Sequence, residues 1–226
     1  MKQMRYPAVP LVTHTPYFNL WSMDDVPNRT PTCHWTGKPQ VLQGIFQVGR
    51  RKYGFLGATD ALPMQLRQVT VEACSTTYVL ESPEARLTLQ FTSPLLLDDL
   101  QLLARPITYI AITAQGRHGR PLPPCTVSLV ADETLCLDHA SQYPVEYGEA
   151  VGPGFAAGTL ASGVQEVLNR SGDDVRIDWG KVYLAVETGG RVALKEEGER
   201  CAIQADRELQ EGKQVLFALA YDEVDA

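Results

Sequence analysis

Two short stretches of this sequence gather the residue types that do chemistry. The first is Cys33-His34-Trp35-Thr36-Gly37-Lys38-Pro39. It places an imidazole, an indole, a hydroxyl and an ammonium within one turn-forming segment. On a loop held by a rigid scaffold, such a set can stack on and hydrogen-bond a polar ligand. The plainer reading makes it a plug, with Trp35 covering the core and Lys38 in solvent. The second stretch is Arg176-Ile177-Asp178-Trp179-Gly180. Read as a strand, it turns Ile177 and Trp179 to the core and leaves Arg176 and Asp178 together on the other face. That pair is then a surface ion pair worth about 0–1 kcal/mol. The alternatives are that Asp178 is a buried acceptor or faces a neighbouring domain. His34, Trp35, Lys38, Arg176, Asp178 and Trp179 are therefore the candidate residues of a pocket rim or a domain interface.

Other chemistry finds less support. His14, His34, His118 and His139 lie far apart, without the H-E-x-x-H spacing of a zinc site, so no metal site is expected. The glycine-rich stretch 152–163 has neither phosphate-binding pattern, and no cofactor is expected. No G-x-S-x-G elbow is present. The pairs Asp24-Asp25, Asp98-Asp99 and Asp173-Asp174 read as solvated turns, because neighbours on a strand face opposite ways. Five cysteines without a C-x-x-C read as reduced, mostly buried small hydrophobes.

The elements that must position these residues are strands. In ARLTLQFT, Leu87, Leu89 and Phe91 point one way; in QVLFALAYD, Val215, Phe217, Leu219 and Tyr221 do. RPITYIAITAQ is apolar on both faces, as expected of a strand covered on both sides. MQLRQVTVEA switches phase after Leu66, which predicts a bulge. Residues 95–103, fenced by Pro94 and Pro106, can form one or two helical turns, and 152–163 reads as a loop. Residues 1–40 are rich in proline and turn formers and read as an extended segment wrapping a neighbouring body. The fold class is all-β: a large antiparallel β-sandwich with an extended proline-rich N-terminal segment. The expected division is 1–60 for that segment and the first strands, and 61–226 for the sandwich, together one structural unit. The 226 residues suffice for a core without staples. A net charge of -7 argues against nucleic acid as a partner. No apolar run is long enough to span a membrane, and prolines interrupt any signal-peptide pattern at the N-terminus.

The order of several motifs carries a resemblance. PAVPLVTHTPYFNLWSMDD, then HWTGKP, then YGFLG resemble the N-terminal region of the glutaminase A-like family. ATDALPMQLRQVTVEACSTTYVLESPEARLTLQF and DDVRIDWGKVYLAV look like that family's N-terminal β-sandwich. The resemblance runs from about Pro7 to about Asp222 and is weakest over 116–165; Lys181 stands where an aromatic is expected. It implies a secreted or cell-envelope amidohydrolase that converts L-glutamine to L-glutamate and ammonia. It further implies a helical-barrel catalytic domain after this portion, so the catalytic residues are expected outside this chain. The partner is then that downstream helical domain, with a small polar ligand also allowed.

Three functions remain open on the sequence. The chain is a non-catalytic sandwich rimming a downstream catalytic domain. Or it is a stand-alone module binding carbohydrate or cell wall, with Trp21, Trp35 and Trp179 as stacking platforms. Or it is itself an enzyme using His34, Lys38 and Asp178. The absence of a signal peptide in this sequence leaves the cytoplasm open as a compartment.

Overall fold

The computed structural model describes residues 6–198 and 200–223; residues 1–5 of the N-terminal segment lie outside the described residues. That segment supplies β1 (Val9–Thr13), β2 (Asn19–Ser22) and β3 (Thr32–Cys33). They pair antiparallel, in that order, as a small sheet. Next come β4 (Leu42–Val48), β5 (Arg51–Leu56), β6 (Leu62–Pro63), β7 (Gln65–Val71), β8 (Ser75–Glu81) and β9 (Ala85–Thr92). One short helix, α1 (Leu100–Leu103), separates them from β10 (Ile107–Gly116) and β11 (Cys125–Asp132). A 3-10 turn follows at Glu133–Leu135. Then come β12 (Val145–Gly152), β13 (Phe155–Ser162), β14 (Lys181–Glu187), β15 (Arg191–Glu197), β16 (Arg200–Leu209) and β17 (Val215–Asp222).

Two large sheets face each other. One has eight strands in the order β12-β13-β14-β17-β10-β9-β8-β7, and the other six in the order β15-β16-β11-β4-β5-β6. Pairing is antiparallel except for the short β5–β6 contact. This is the all-β sandwich that the alternating pattern predicts. Leu87, Leu89 and Phe91 of β9, and Val215, Phe217, Leu219 and Tyr221 of β17, all point into the core. The three-stranded sheet joins the same core through Val9, Leu11, Val12, Phe18 and Leu20. The N-terminal segment is thus a set of strands in the shared core. The phase switch after Leu66 is a bulge, where the β7–β8 register slips between Leu66 and Gln68. Asp99 caps α1, its carboxylate accepting from the Leu102 N–H at 2.9 Å; it is a cap as well as a solvated residue.

Three expectations need correction. Residues 152–163 are not a loop: β12 and β13 form a hairpin. Small residues are there because β13 lies close against the other sheet. A Cβ on Gly158 would stand 2.6 Å from Ile203 Cγ2 and 2.8 Å from Val192 Cγ1. Residues 175–180 are not a strand either. They run as irregular chain, with the ladder starting at Lys181, and 176–180 are all buried. Strand β10 is covered on one face only. Ile110, Ile112 and Ala114 are in the core, while Ile107, Tyr109 and Ala111 are half-buried on the outer face. The five cysteines are free thiols, three of them buried.

Phe46 sits at the centre of β4, fully buried. Phe46→Ala should lower the unfolding free energy by about 3–5 kcal/mol through lost burial and a residual cavity. Urea unfolding followed by circular dichroism measures this.

Candidate functional site

The site lies where the N-terminal segment crosses one end of the sandwich. The β1–β2 connection makes a tight turn, with Thr15 Oγ1 accepting from the N–H groups of Tyr17 and Phe18 at 3.3 and 3.1 Å. That turn presents the Pro16 carbonyl to three donors: Asn19 Nδ2 at 3.1 Å, His34 Nε2 at 2.9 Å and Trp35 Nε1 at 3.1 Å. Asn19 completes the junction, its Oδ1 accepting from Trp21 Nε1 and the Trp35 N–H, both at 3.0 Å. The loop after β3 closes on itself, with the Gly37 N–H donating to the His34 carbonyl and the His34 N–H to the Lys38 carbonyl, both at 2.8 Å.

His34 is fully buried. Its Nε2 faces a carbonyl and so carries the proton; Nδ1 accepts from the Thr36 N–H at 3.3 Å and lies 2.9 Å from the Thr36 hydroxyl. Burial is the main cause holding its pKa below the usual value, and the nearby Arg176 guanidinium acts in the same direction. The imidazole is therefore neutral and structural near pH 7. Trp35 does not cover the core: it is 54% exposed, and its ring lies 5.6 Å from that of His34. Lys38 is exposed.

The second stretch meets the first through Asp174. Thr36 and, less strongly, Lys38 both favour the charged form of the Asp174 carboxylate. Together with Arg176, whose Nη1 donates to Asp174 Oδ1 at 2.5 Å, they hold that carboxyl below its ordinary pKa. Arg176 and Asp178 do not form the expected surface pair. Both are 3% exposed, and each is matched elsewhere. Arg176 Nη2 bonds Asp138 Oδ1 closely. Arg170 bridges Asp138 Oδ2 at 2.8 Å and Asp178 Oδ2 at 3.3 Å. Gln142 Nε2 donates to Asp178 Oδ2 at 3.1 Å. The result is an alternating chain, Asp174–Arg176–Asp138–Arg170–Asp178. The two flanking loops, 136–143 and 166–170, cover what a strand would have left open.

Trp179 anchors this network to the core. It is 1% exposed, which removes it as a stacking platform for a ligand. Its ring lies 5.7 Å from Tyr17, and its carbonyl accepts from the Tyr221 hydroxyl at 2.5 Å. Gly180 turns the chain into β14 with φ 77, and a Cβ there would stand 2.3 Å from the Asp222 carbonyl oxygen. Only glycine fits both conditions. Among the described residues, Asp178 Oδ1, Trp179 Nε1 and the Nε atoms of Arg170 and Arg176 are buried without a hydrogen-bond partner. The two stretches singled out from the sequence therefore meet. Asn19, Asp138, Gln142, Arg170 and Asp174 complete the arrangement, and no local motif marked the first four. Its titratable groups are nonetheless engaged: the imidazole is neutral and bonded on both nitrogens, and each carboxylate is paired with an arginine. What it offers outward is Trp35, Lys38 and the exposed side of Asp174.

Removing Asp138 leaves two guanidinium groups short of a partner, one fully buried. Asp138→Asn should cost about 3 kcal/mol, read as a lower urea midpoint. His14 makes a second, pH-dependent prediction. Burial lowers its pKa from 6.5 to about 4, with Nε2 on Thr108 Oγ1 at 3.0 Å and Nδ1 unpartnered. Between those values the unfolded chain binds the proton and the folded chain does not, so stability falls as pH drops from 6.5 towards 4. His14→Gln should flatten that slope relative to the parent in paired urea titrations.

Comparison with known proteins gives family membership without an activity. A model described as "Domain of unknown function (DUF4964)" matches residues 1–69, and one described as "Domain of unknown function (DUF5127)" matches residues 74–222. No curated protein matches the sequence. Among solved structures, the chain is similar to one described as "Putative kojibiose phosphorylase from human microbiome", at 8% identity and a TM-score of 0.41. That match covers 95% of this chain and 30% of the other, so this chain spans under a third of that relative's length. The second model alone takes in well over half of the 226 residues, and the chain belongs to the family described as Domain of unknown function (DUF5127).

Proposed function

We propose that this chain is the non-catalytic β-sandwich portion of a glutaminase A-like amidohydrolase, packed against and rimming a helical catalytic domain of the same polypeptide. The supporting observation is the outer face of the eight-stranded sheet. Its registers set Tyr109 beside Ala218, Ala218 beside Ala185, and Ala185 beside Ala157. Ile107, Ala220 and Tyr183 make the adjoining row. A groove of about 410 Å³ runs over these residues, bordered by Phe155 and Leu216. A sheet face facing water alternates to polar residues; this one stays apolar on both sides, as a face covered by another structure does. Alanines along its floor leave room for a helix, and Tyr109, Tyr183 and Phe155 supply contact area. At the adjacent end, Leu95, Leu96, Leu97 and Leu100 are also exposed. The rim role falls to Trp35, Lys38 and Asp174, since the other candidate residues are enclosed.

One observation favours a second reading. Trp35 is held in place by its own N–H groups yet half exposed, beside polar neighbours. That suits stacking on a sugar ring by a stand-alone carbohydrate- or cell-wall-binding module.

The mass of the native polypeptide, detected with an antibody against this chain, separates the two. A species several times heavier than 24.9 kDa that releases ammonia from L-glutamine supports the proposal. In that species Ala218→Glu should loosen the domains and raise protease sensitivity without unfolding the sandwich. A native species of 24.9 kDa overturns it; sugar binding lost on Trp35→Ala then establishes the module.

A further inference from the structure

At the end of the sandwich away from the candidate site, β8, β9 and β10 turn an unusual row to the outer face. Glu81 pairs across to Arg86, and Arg86 to Gln115. Glu81 is 5% exposed although it lies on the outer surface of the sheet, because guanidinium groups cover it. Arg86 bonds Glu81 Oε1 through Nε and Nη2 at 2.9 and 2.7 Å. Arg67, set at the β7 bulge, reaches Oε2 at 2.6 Å. Arg117 reaches the same oxygen at 2.9 Å and donates to the Ser82 carbonyl at 2.6 Å. One guanidinium would neutralise this carboxylate; three surround it. Beside them Arg51 pairs with Glu84 at 2.9 Å, so four cations meet two carboxylates. Glu211 stands at the rim, accepting from the N–H groups of Gly116 and Leu122 at 3.1 and 3.2 Å. Arg120 lies in the same turn as Arg117, its N–H donating to the Arg117 carbonyl at 3.0 Å, and adds a fifth guanidinium against the three carboxylates. This corner therefore keeps about two surplus positive charges on a chain of net charge -7.

We propose that this corner is an oxyanion site for a phosphate or sulfate group, free or carried as an ester. A depression of about 270 Å³ opens there, lined by Arg86, Gln115, Gly116, Arg117 and His118. Glu81 takes the Nε–Nη2 edge of Arg86, and among the described residues no acceptor engages Nη1. The end-on edge of a half-exposed guanidinium is thus presented to a tetrahedral oxyanion. The Gln115 amide and the exposed His118 ring stand beside it. Glu81 fixes the arginines in place, and its own charge weakens the field they make.

Titration calorimetry at constant ionic strength tests this with inorganic phosphate, inorganic sulfate and phenyl phosphate. Saturable binding with Kd about 1 mM is expected for the parent chain. Arg86→Gln should weaken it about tenfold or more. Gln115→Glu, an exposed substitution that leaves the Glu81 cluster intact, should abolish it. Glu81→Gln, with circular dichroism unchanged, should bind more tightly than the parent. Stronger binding of phenyl phosphate than of phosphate identifies an ester ligand, and the reverse a free anion. No saturable binding of any of the three probes overturns the proposal, as does a folded Gln115→Glu chain that binds like the parent.

Discussion

The constraint on which this end of the molecule depends is that buried charge must be matched. Residues 176–180 lie buried against the sandwich without a strand partner, and Arg176 and Asp178 are carried inside with them. A lone ion there would be unaffordable, so loops from elsewhere must bring partners. Asp138 and Gln142 come from the chain after β11, and Arg170 from the chain after β13. Thr36 and Lys38 come from the loop after β3. The network thereby ties the N-terminal segment to the body of the sandwich. The same loops then have fixed positions.

Hydrophobic burial works with this network. Tyr17 packs on Trp179 and Phe18 on Tyr221, and the Tyr221 hydroxyl meets the Trp179 carbonyl. The core is shared between residues matched by both family models, since Phe18 and Leu20 pack into it with Leu219 and Tyr221. A boundary between those models near residue 70 is therefore not a boundary in packing. The outer face of the large sheet changes character along its length. Near β13, β14, β17 and the start of β10 the face is apolar; at the β8–β9 turn it carries arginines around one glutamate. One suits a dry contact with another domain, the other a charged ligand.

Fold class was legible in the sequence because period-two alternation is a local property. Leu87, Leu89 and Phe91 show it, as do Val215 to Tyr221, and the break after Leu66 shows the bulge. The site was half legible. Rare residue types drew attention to 33–39 and 176–180, and the structure places them together through Asp174. The nature of the contact was not legible. Alternation around Ile177 and Trp179 suggested a strand with a solvent face, yet that apparent alternation belongs to irregular chain buried on all sides.

What the sequence alone determined is what depends on neighbours in the chain: strand character, turns and the short helical turn fenced by Pro94 and Pro106. The tertiary structure decided which groups become partners. Asp138 and Arg176 are 38 residues apart, Pro16 and Trp35 are 19 apart, and Glu81 ends β8 whereas Arg117 follows β10. Sequence spacing says nothing about such pairs, because sheet order and loop path set their separation. The same holds for the two faces of β10. Its composition shows that both are apolar; only the arrangement of β9, β10, β17 and β14 shows which face meets the core and which remains half open.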